Sequence, residues 1–396
     1  MHKSVIKTIA FALIAFCGLT TAVAQNDFKT VVDQIIMNNN QIKSGDKAIQ
    51  SQILGIKREL IPENPEFEFE YLPSTTVSDQ ALQKFGITQS FEFPSVYFKK
   101  KNWIKSQEEL LISQQKGLIQ QLRYDISDQL IQWVFLQKKS VLLNQRIDET
   151  EQMLNAYEQM FDAGEINILQ VNQIRIRLQK IIQEKRDLES VVSTFKQDLN
   201  ALNGGNELPL DVNDYPVLDV IDPIAQWNDI ESSDQRLILT EAQNKSAYQK
   251  IAVQKHAYLP DLKLGLGSEK TADEHFRGVV FGMSIPLWGK INTVKQAMME
   301  ADATMEYGFS TQMIIKAEYA KANHNALNIA RSKDEFEKLI QALSQKELLN
   351  KMLNNGAISL SDYLVELESY YELQNQLIEL EMQLFHEFNI LNRYKY

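Results

Sequence analysis

Gly86-Ile-Thr-Gln-Ser-Phe-Glu-Phe-Pro94 is answered 192 residues later by Gly278-Val-Val-Phe-Gly-Met-Ser-Ile-Pro286. The same offset links Gly164, in Asp-Ala-Gly-Glu-Ile, to Gly356, in Asn-Asn-Gly-Ala-Ile. Two matches at one spacing mean a duplicated supersecondary unit, with a period far longer than the roughly 20–50 residues of solenoid repeats. What one unit contains therefore decides what the chain is.

Each quoted stretch alternates. In Ile87-Thr-Gln-Ser-Phe-Glu-Phe93, Phe91 and Phe93 oppose Ser90 and Glu92, and in the second copy Val279, Phe281, Met283 and Ile285 oppose Val280, Gly282 and Ser284. A period of two is the signature of a strand with two unlike faces. Just upstream, Pro65-Glu-Phe-Glu-Phe-Glu-Tyr71 puts Phe67, Phe69 and Tyr71 on one face and Glu66, Glu68 and Glu70 on the other, while Leu262, Leu264 and Leu266 oppose Lys263, Gly265 and Gly267. Four such strands suit either the half-buried sheet of a soluble domain or a membrane barrel. Alternation alone favours the soluble sheet; a secretory leader at the start of the chain, together with glutamates and glycines on the second face that suit a watery lumen, turns the reading to the barrel. Four strands cannot close by themselves, so it also requires other copies of the chain.

The rest of each unit is helical. No proline occurs between Pro94 and Pro209 or after Pro286, and Gln, Glu, Lys, Leu and Ile abound there, which favours helix. Ile119, Ile126, Trp133, Ser140, Ile147, Leu154 and Phe161 recur every seven residues, as do Tyr363, Tyr370, Leu377, Leu384 and Leu391. That spacing is a coiled-coil seam. A helix from about residue 102 to 163 would run roughly 90 Å at about 1.5 Å per residue. Gly164 and Gly356 then end these helices, since glycine readily takes the left-handed conformation of a helix C-cap. Each unit is expected to finish as a long helical hairpin with an exposed tip.

The chain opens with two lysines, an apolar run over residues 9–19 and the small residues Ala22-Val23-Ala24. This predicts a secretory leader over 1–24. Its Cys17 is the chain's one cysteine and follows Phe16, a residue too large for an ordinary lipoprotein signal. Cleavage would leave a cysteine-free protein, excluding disulfides and thiolate metal sites. The net charge of −11 excludes nucleic acid as a natural partner, because phosphate binding needs basic surface. No apolar run past the leader approaches the ~20 residues of a helical membrane span.

Together with this order of elements, the phrases Tyr258-Leu-Pro-Asp-Leu262, Ser284-Ile-Pro-Leu-Trp288 and Asn355-Gly-Ala-Ile-Ser-Leu360 make the chain resemble the TolC-type outer-membrane efflux proteins over nearly its whole mature length. The resemblance implies a mainly α fold with a small β part: duplicated coiled-coil hairpins and four transmembrane strands, three copies forming a twelve-stranded β-barrel and a periplasmic helical tunnel. It implies the outer membrane of a Gram-negative bacterium as location. The implied partners are two further subunits, outer-membrane lipid, a periplasmic adaptor and an inner-membrane pump of the resistance-nodulation-division type. The segment 256–288 is most similar to the branch serving heavy-metal cation pumps, with drug or solute efflux and type I secretion as alternatives; a soluble periplasmic coiled-coil scaffold without a pore is the alternative outside the family.

On this reading residues 25–203 form the first repeat, 204–224 an equatorial linker and 225–396 the second repeat. Lipid would meet Phe67, Phe69, Phe91, Phe93, Leu264 and Phe281. The adaptor would meet Gly164, Ile166, Ile168, Gly356, Ile358 and Leu360, with the apolar members left partly exposed. Asp362 stands where the family places the first of its entrance aspartates, but Val365 replaces the second, and Leu353, Ile358 and Gln170 occupy places where polar locking partners are expected. The family's gate therefore does not carry over intact.

Enzymatic chemistry finds no support. His256, His275, His324 and His386 are scattered, without the spacing of a metal site. Met298 and Met299 are adjacent and so point different ways on a helix. The reading assigns no catalytic residue, cofactor or bound metal.

Overall fold

The computed structural model describes residues 21–75, 81–219, 221–343 and 345–396. Most of the leader, with Cys17, lies outside that range. Among the described residues the helices are α1 (Thr21–Asn38), α2 (Asn40–Lys57), α3 (Pro94–Asp162), α4 (Ile168–Leu202), α5 (Trp227–Ser233), α6 (Gln235–His256), α7 (Thr293–Leu343), α8 (Gln345–Asn354) and α9 (Leu360–Asn392). The strands are β1 (Glu66–Pro73), β2 (Ala81–Phe91), β3 (Asp261–Lys270) and β4 (His275–Ser284). None of these helices is long and apolar enough to cross a membrane.

Two compact units form, one of Met1–Ile42, Ile119–Ile230 and Lys316–Tyr396, the other of Lys43–Leu118 and Glu231–Ile315. Each unit therefore draws on both sequence repeats. The unit containing 43–118 and 231–315 carries the sheet, whose order is β1-β2-β3-β4 with every pair antiparallel. The repeats meet at the centre, where β2 pairs β3. Gly265 is required there, since a Cβ would lie 2.3 Å from the Ile87 carbonyl oxygen.

Two strands end short of the alternating runs read from the sequence, β2 at Phe91 and β4 at Ser284, which leaves Ile285 beyond β4. Strand β2 begins earlier than its apolar run, at Ala81, and stops at Phe91. Phe93 thus lies beyond the strand, because Pro94 opens α3: proline has no N–H to give a ladder but suits the first position of a helix.

The other unit is built on the seams. Ile126, Leu130, Ile131 and Val134 of α3 pack with Phe28, Val31, Val32 and Ile35 of α1 and with Leu199 of α4. The segment after α4 joins that core rather than hanging as a loop. Leu208, Val212 and Tyr215 are buried in it, and the Tyr215 ring stacks on Phe385 with centroids 4.4 Å apart.

Candidate channel-forming sheet and helical tips

Residues directly opposite in an antiparallel ladder share a face, so the register assigns every side chain of the sheet. Phe69 is opposite Phe85, Phe67 is opposite Ile87, Ile87 is opposite Leu266, and Leu266 is opposite Val279. Phe91, Leu262 and Met283 form another row, and Leu264 with Phe281 another. One face is thereby mainly apolar across all four strands, with polar side chains concentrated at its end nearest the β3–β4 turn, where Ser268, Lys270, His275 and Arg277 lie. It is also uncovered, with Phe67 64% and Phe281 68% exposed. Its aromatic groups pack within the face, Phe67 against Phe85 edge-on at 4.7 Å.

The opposite face is charged. Lys263 pairs with Glu66 at 2.6 Å and Lys84 with Glu269 at 3.5 Å, while Gly86, Gly267 and Gly278 form one row beside Glu68. Strands β1 and β4 are the sheet's edges, each with a free row of N–H and C=O groups. At the helix-side end of the apolar face, Tyr258 and Trp288 are exposed. Their phrases stood out in the sequence only by resemblance; in the fold Tyr258 lies just before β3 and Trp288 just after β4.

The two tips have one backbone design. At the first, Gly164 has φ 76°, its N–H donates to the Phe161 carbonyl at 2.9 Å and the Glu165 N–H donates to Met160 at 2.9 Å. At the second, Gly356 has φ 66° and the matching bonds run from Gly356 to Leu353 at 3.0 Å and from Ala357 to Met352 at 2.8 Å. These paired bonds are Schellman caps, which satisfy the last helical carbonyls. A Cβ would meet nothing within 4 Å at either glycine, so the positive φ alone demands it. The next helices start with side-chain caps. Asn167 accepts from the Leu169 and Gln170 amides, and Gln170 reaches back to the Asn167 N–H. Ser359 accepts from the Asp362 amide at 3.1 Å and donates its hydroxyl to the Asp362 carboxylate at 2.7 Å. Ile166 and Ile358 are half-buried, Ile168 is exposed, and Leu360 is 5% exposed. The expectation that Leu360 lies partly open at the surface is thus not met in this chain, because it packs with Leu349, Tyr363, Leu367 and Tyr371.

Behind the tips lies a polar network that the sequence does not announce. Arg146 of α3, its side chain 4% exposed, pairs with Glu184 of α4 at 3.4 Å and Glu368 of α9 at 3.0 Å. Arg177 also reaches Glu368, at 2.6 Å, and donates to the Leu364 carbonyl at 2.9 Å. Nearby, Glu149 accepts from Tyr371, Lys346 and Gln145. Burial pushes its carboxyl up, but the bonds from Lys346, Tyr371 and Gln145 hold it below the ordinary range. Burial first, and then the bond to Glu149, raises the Tyr371 phenol. The arginines and Glu368 line a cleft of 570 Å³. These partners lie far apart in sequence and obey no short spacing, which is why only the fold brings them together.

No protein-family model matches the chain, and no curated protein matches its sequence. Solved structures do match. The chain is similar to CusC, a structure described in terms of folding and transmembrane channel formation, with 13% identity, 93% of this chain and 92% of that one covered, and a TM-score of 0.77. The fold is the TolC-like outer-membrane channel fold. At the same identity and TM-score the chain is similar to a membrane protein from Pseudomonas aeruginosa, with 93% and 90% covered, and to the outer-membrane channel OprN, with 93% and 89% covered.

Proposed function

We propose that the chain is one subunit of a homotrimeric outer-membrane duct, a passive conduit through which an inner-membrane pump and a periplasmic adaptor expel their cargo. One observation carries this reading. The four-stranded sheet has an uncovered apolar face, a charged face and two unpaired edges, and three such sheets joined edge to edge leave no edge unpaired while turning the apolar face to lipid and the charges to a lumen. A soluble scaffold would leave that apolar face in water, which soluble monomers rarely do on such a scale. Strands of 8 to 11 residues match the ~9–11 that a tilted transmembrane strand needs.

The channel fold shared with the solved neighbours supports an outer-membrane setting with a large periplasmic helical part. The duplicated tips, Gly164 with Ile166 and Ile168, and Gly356 with Ile358, are the surfaces offered to the adaptor, with Leu360 anchoring the second tip from within, and Asp362 is the acidic group at the entrance. For cargo we favour heavy-metal cations driven by a resistance-nodulation-division pump, on the resemblance of segment 256–288. Drug or solute efflux and type I secretion are the alternatives, and scoring a deletion strain for tolerance to zinc, cobalt, cadmium and copper against dyes and detergents separates them.

The barrel itself is tested by charge. Arginine at Phe69, Leu264 or Phe281 is expected to cost about 2–4 kcal/mol near the bilayer midplane and to lower the yield of heat-resistant trimer, whereas Glu68→Arg is tolerated. Equal losses on the two faces would reject the barrel.

A further inference from the structure

The apolar face has a charge asymmetry of its own. Along all four strands it presents no aspartate or glutamate, whereas the opposite face presents Glu66, Glu68, Glu70, Asp261 and Glu269. Its cations are Lys270 and Arg277, and both stand at the end of the sheet nearest the β3–β4 turn, away from the helices. Lys270 is opposite His275, and Arg277 is opposite Ser268, so the two cations are diagonal neighbours about 7–8 Å apart. Ser268 Oγ and His275 Nε2 lie 2.8 Å apart between them. Lys270 and Arg277 are exposed and form no ion pair among the described residues. Asp273 and Glu274 belong to the turn beyond the last row, which is closed by bonds between Thr271 and the Glu274 backbone.

Charge on a lipid-facing surface is costly in the hydrocarbon and tolerated at headgroup level. A headgroup that carries phosphate does more than tolerate a cation, because guanidinium and ammonium groups donate charge-assisted bonds to phosphate oxygens. A carboxylate-free face, apolar below and cationic at its rim, complements an anionic amphiphile in both parts. We propose that Lys270 and Arg277, with Ser268 and His275, bind the phosphorylated headgroup of a lipid in the leaflet at the turn side, its acyl chains lying along Leu264, Leu266, Val279 and Phe281. The site rests on the barrel reading above, which turns this face to lipid. The occupant is a membrane lipid rather than free phosphate, because the apolar rows run directly on from the cations.

The test uses full-length trimer in phosphatidylcholine vesicles, with lipid A, a bis-phosphorylated acylated diglucosamine, as the probe. Lipid A is expected to bind the wild type, and the double variant Lys270→Gln, Arg277→Gln to bind about tenfold more weakly or worse, while both insert equally well. Lys84→Gln with Lys263→Gln, on the opposite face, should leave binding unchanged, and inorganic phosphate should not compete. Unchanged lipid A binding in the first double variant, equal loss in the second, or full competition by inorganic phosphate would each overturn the lipid site and leave the barrel standing. Failure of the wild type to insert would overturn the barrel reading and the lipid site with it.

Discussion

The two helical tips share a backbone and differ in surface. Gly164 and Gly356 both close Schellman turns, and both following helices have side-chain caps, so the turn itself is fully duplicated. Two residues at equivalent positions then part company. Ile168 is exposed with Leu169 beside it, 67% exposed, whereas their counterparts are the buried Leu360 and the hydroxylic Ser361. Gln170 completes a capping box in the first copy, while Asp362 takes that place in the second. Duplication preserved what backbone hydrogen bonding requires and released what packing and partners decide. The first tip keeps its apolar residues for an outside surface; the second uses them to anchor α9 into the core with Tyr363, Leu367 and Tyr371.

Substitutions that treat equivalent positions alike should therefore give unequal results. Leu360→Ala removes a core side chain and is expected to lower stability by about 2–5 kcal/mol, whereas Leu169→Ala should change it by no more than ~0.5 kcal/mol while reducing adaptor-dependent transport. Denaturation of the purified trimer, set beside an export assay, reads both; similar stability losses at the two positions would erase the distinction. Valine at the glycines should restore symmetry. Gly164→Val and Gly356→Val each force a β-branched residue to positive φ in open space, costing roughly 1–3 kcal/mol at either tip, with trimer still reaching the membrane and transport falling. A loss at one tip only would mean that something besides φ requires glycine there. The smallest effect belongs to Asp362→Gln, which gives the second tip the residue of the first. Loss of an acidic group from the first helical turn should cost about 0.3–1 kcal/mol. If three copies surround the entrance, conductance in planar bilayers should also shift toward anions, and an unchanged ion preference would remove Asp362 from the pore.

The sheet shows the same division between local rule and assembled result. Its strands were readable because alternation is a period-two signal and each run is bounded by proline, and the apolar and acidic sides of β1 followed from six residues, Glu66 to Tyr71. The boundary of β2 was not, since Ala81 to Lys84 carries no apolar alternation and is recruited by pairing with β1 and β3. The helical seams were readable in part: Ile126, Trp133, Tyr363, Leu384 and Leu391 are buried, Ile119, Ile147 and Leu154 are half-buried, and Phe161 is exposed.

Sequence by itself determined the duplication, the strand faces, the seams and the glycine turns, because each depends on neighbours a few residues away or on backbone conformation. Only tertiary structure decided that β2 and β3 join the repeats into one sheet, that the segment after α4 enters the core, that Leu360 is inside while Ile168 is outside, and that Arg146 finds Glu184 and Glu368. Those outcomes depend on side chains separated by tens to hundreds of residues, for which chain order carries no periodic signal and burial becomes defined only when the helices pack.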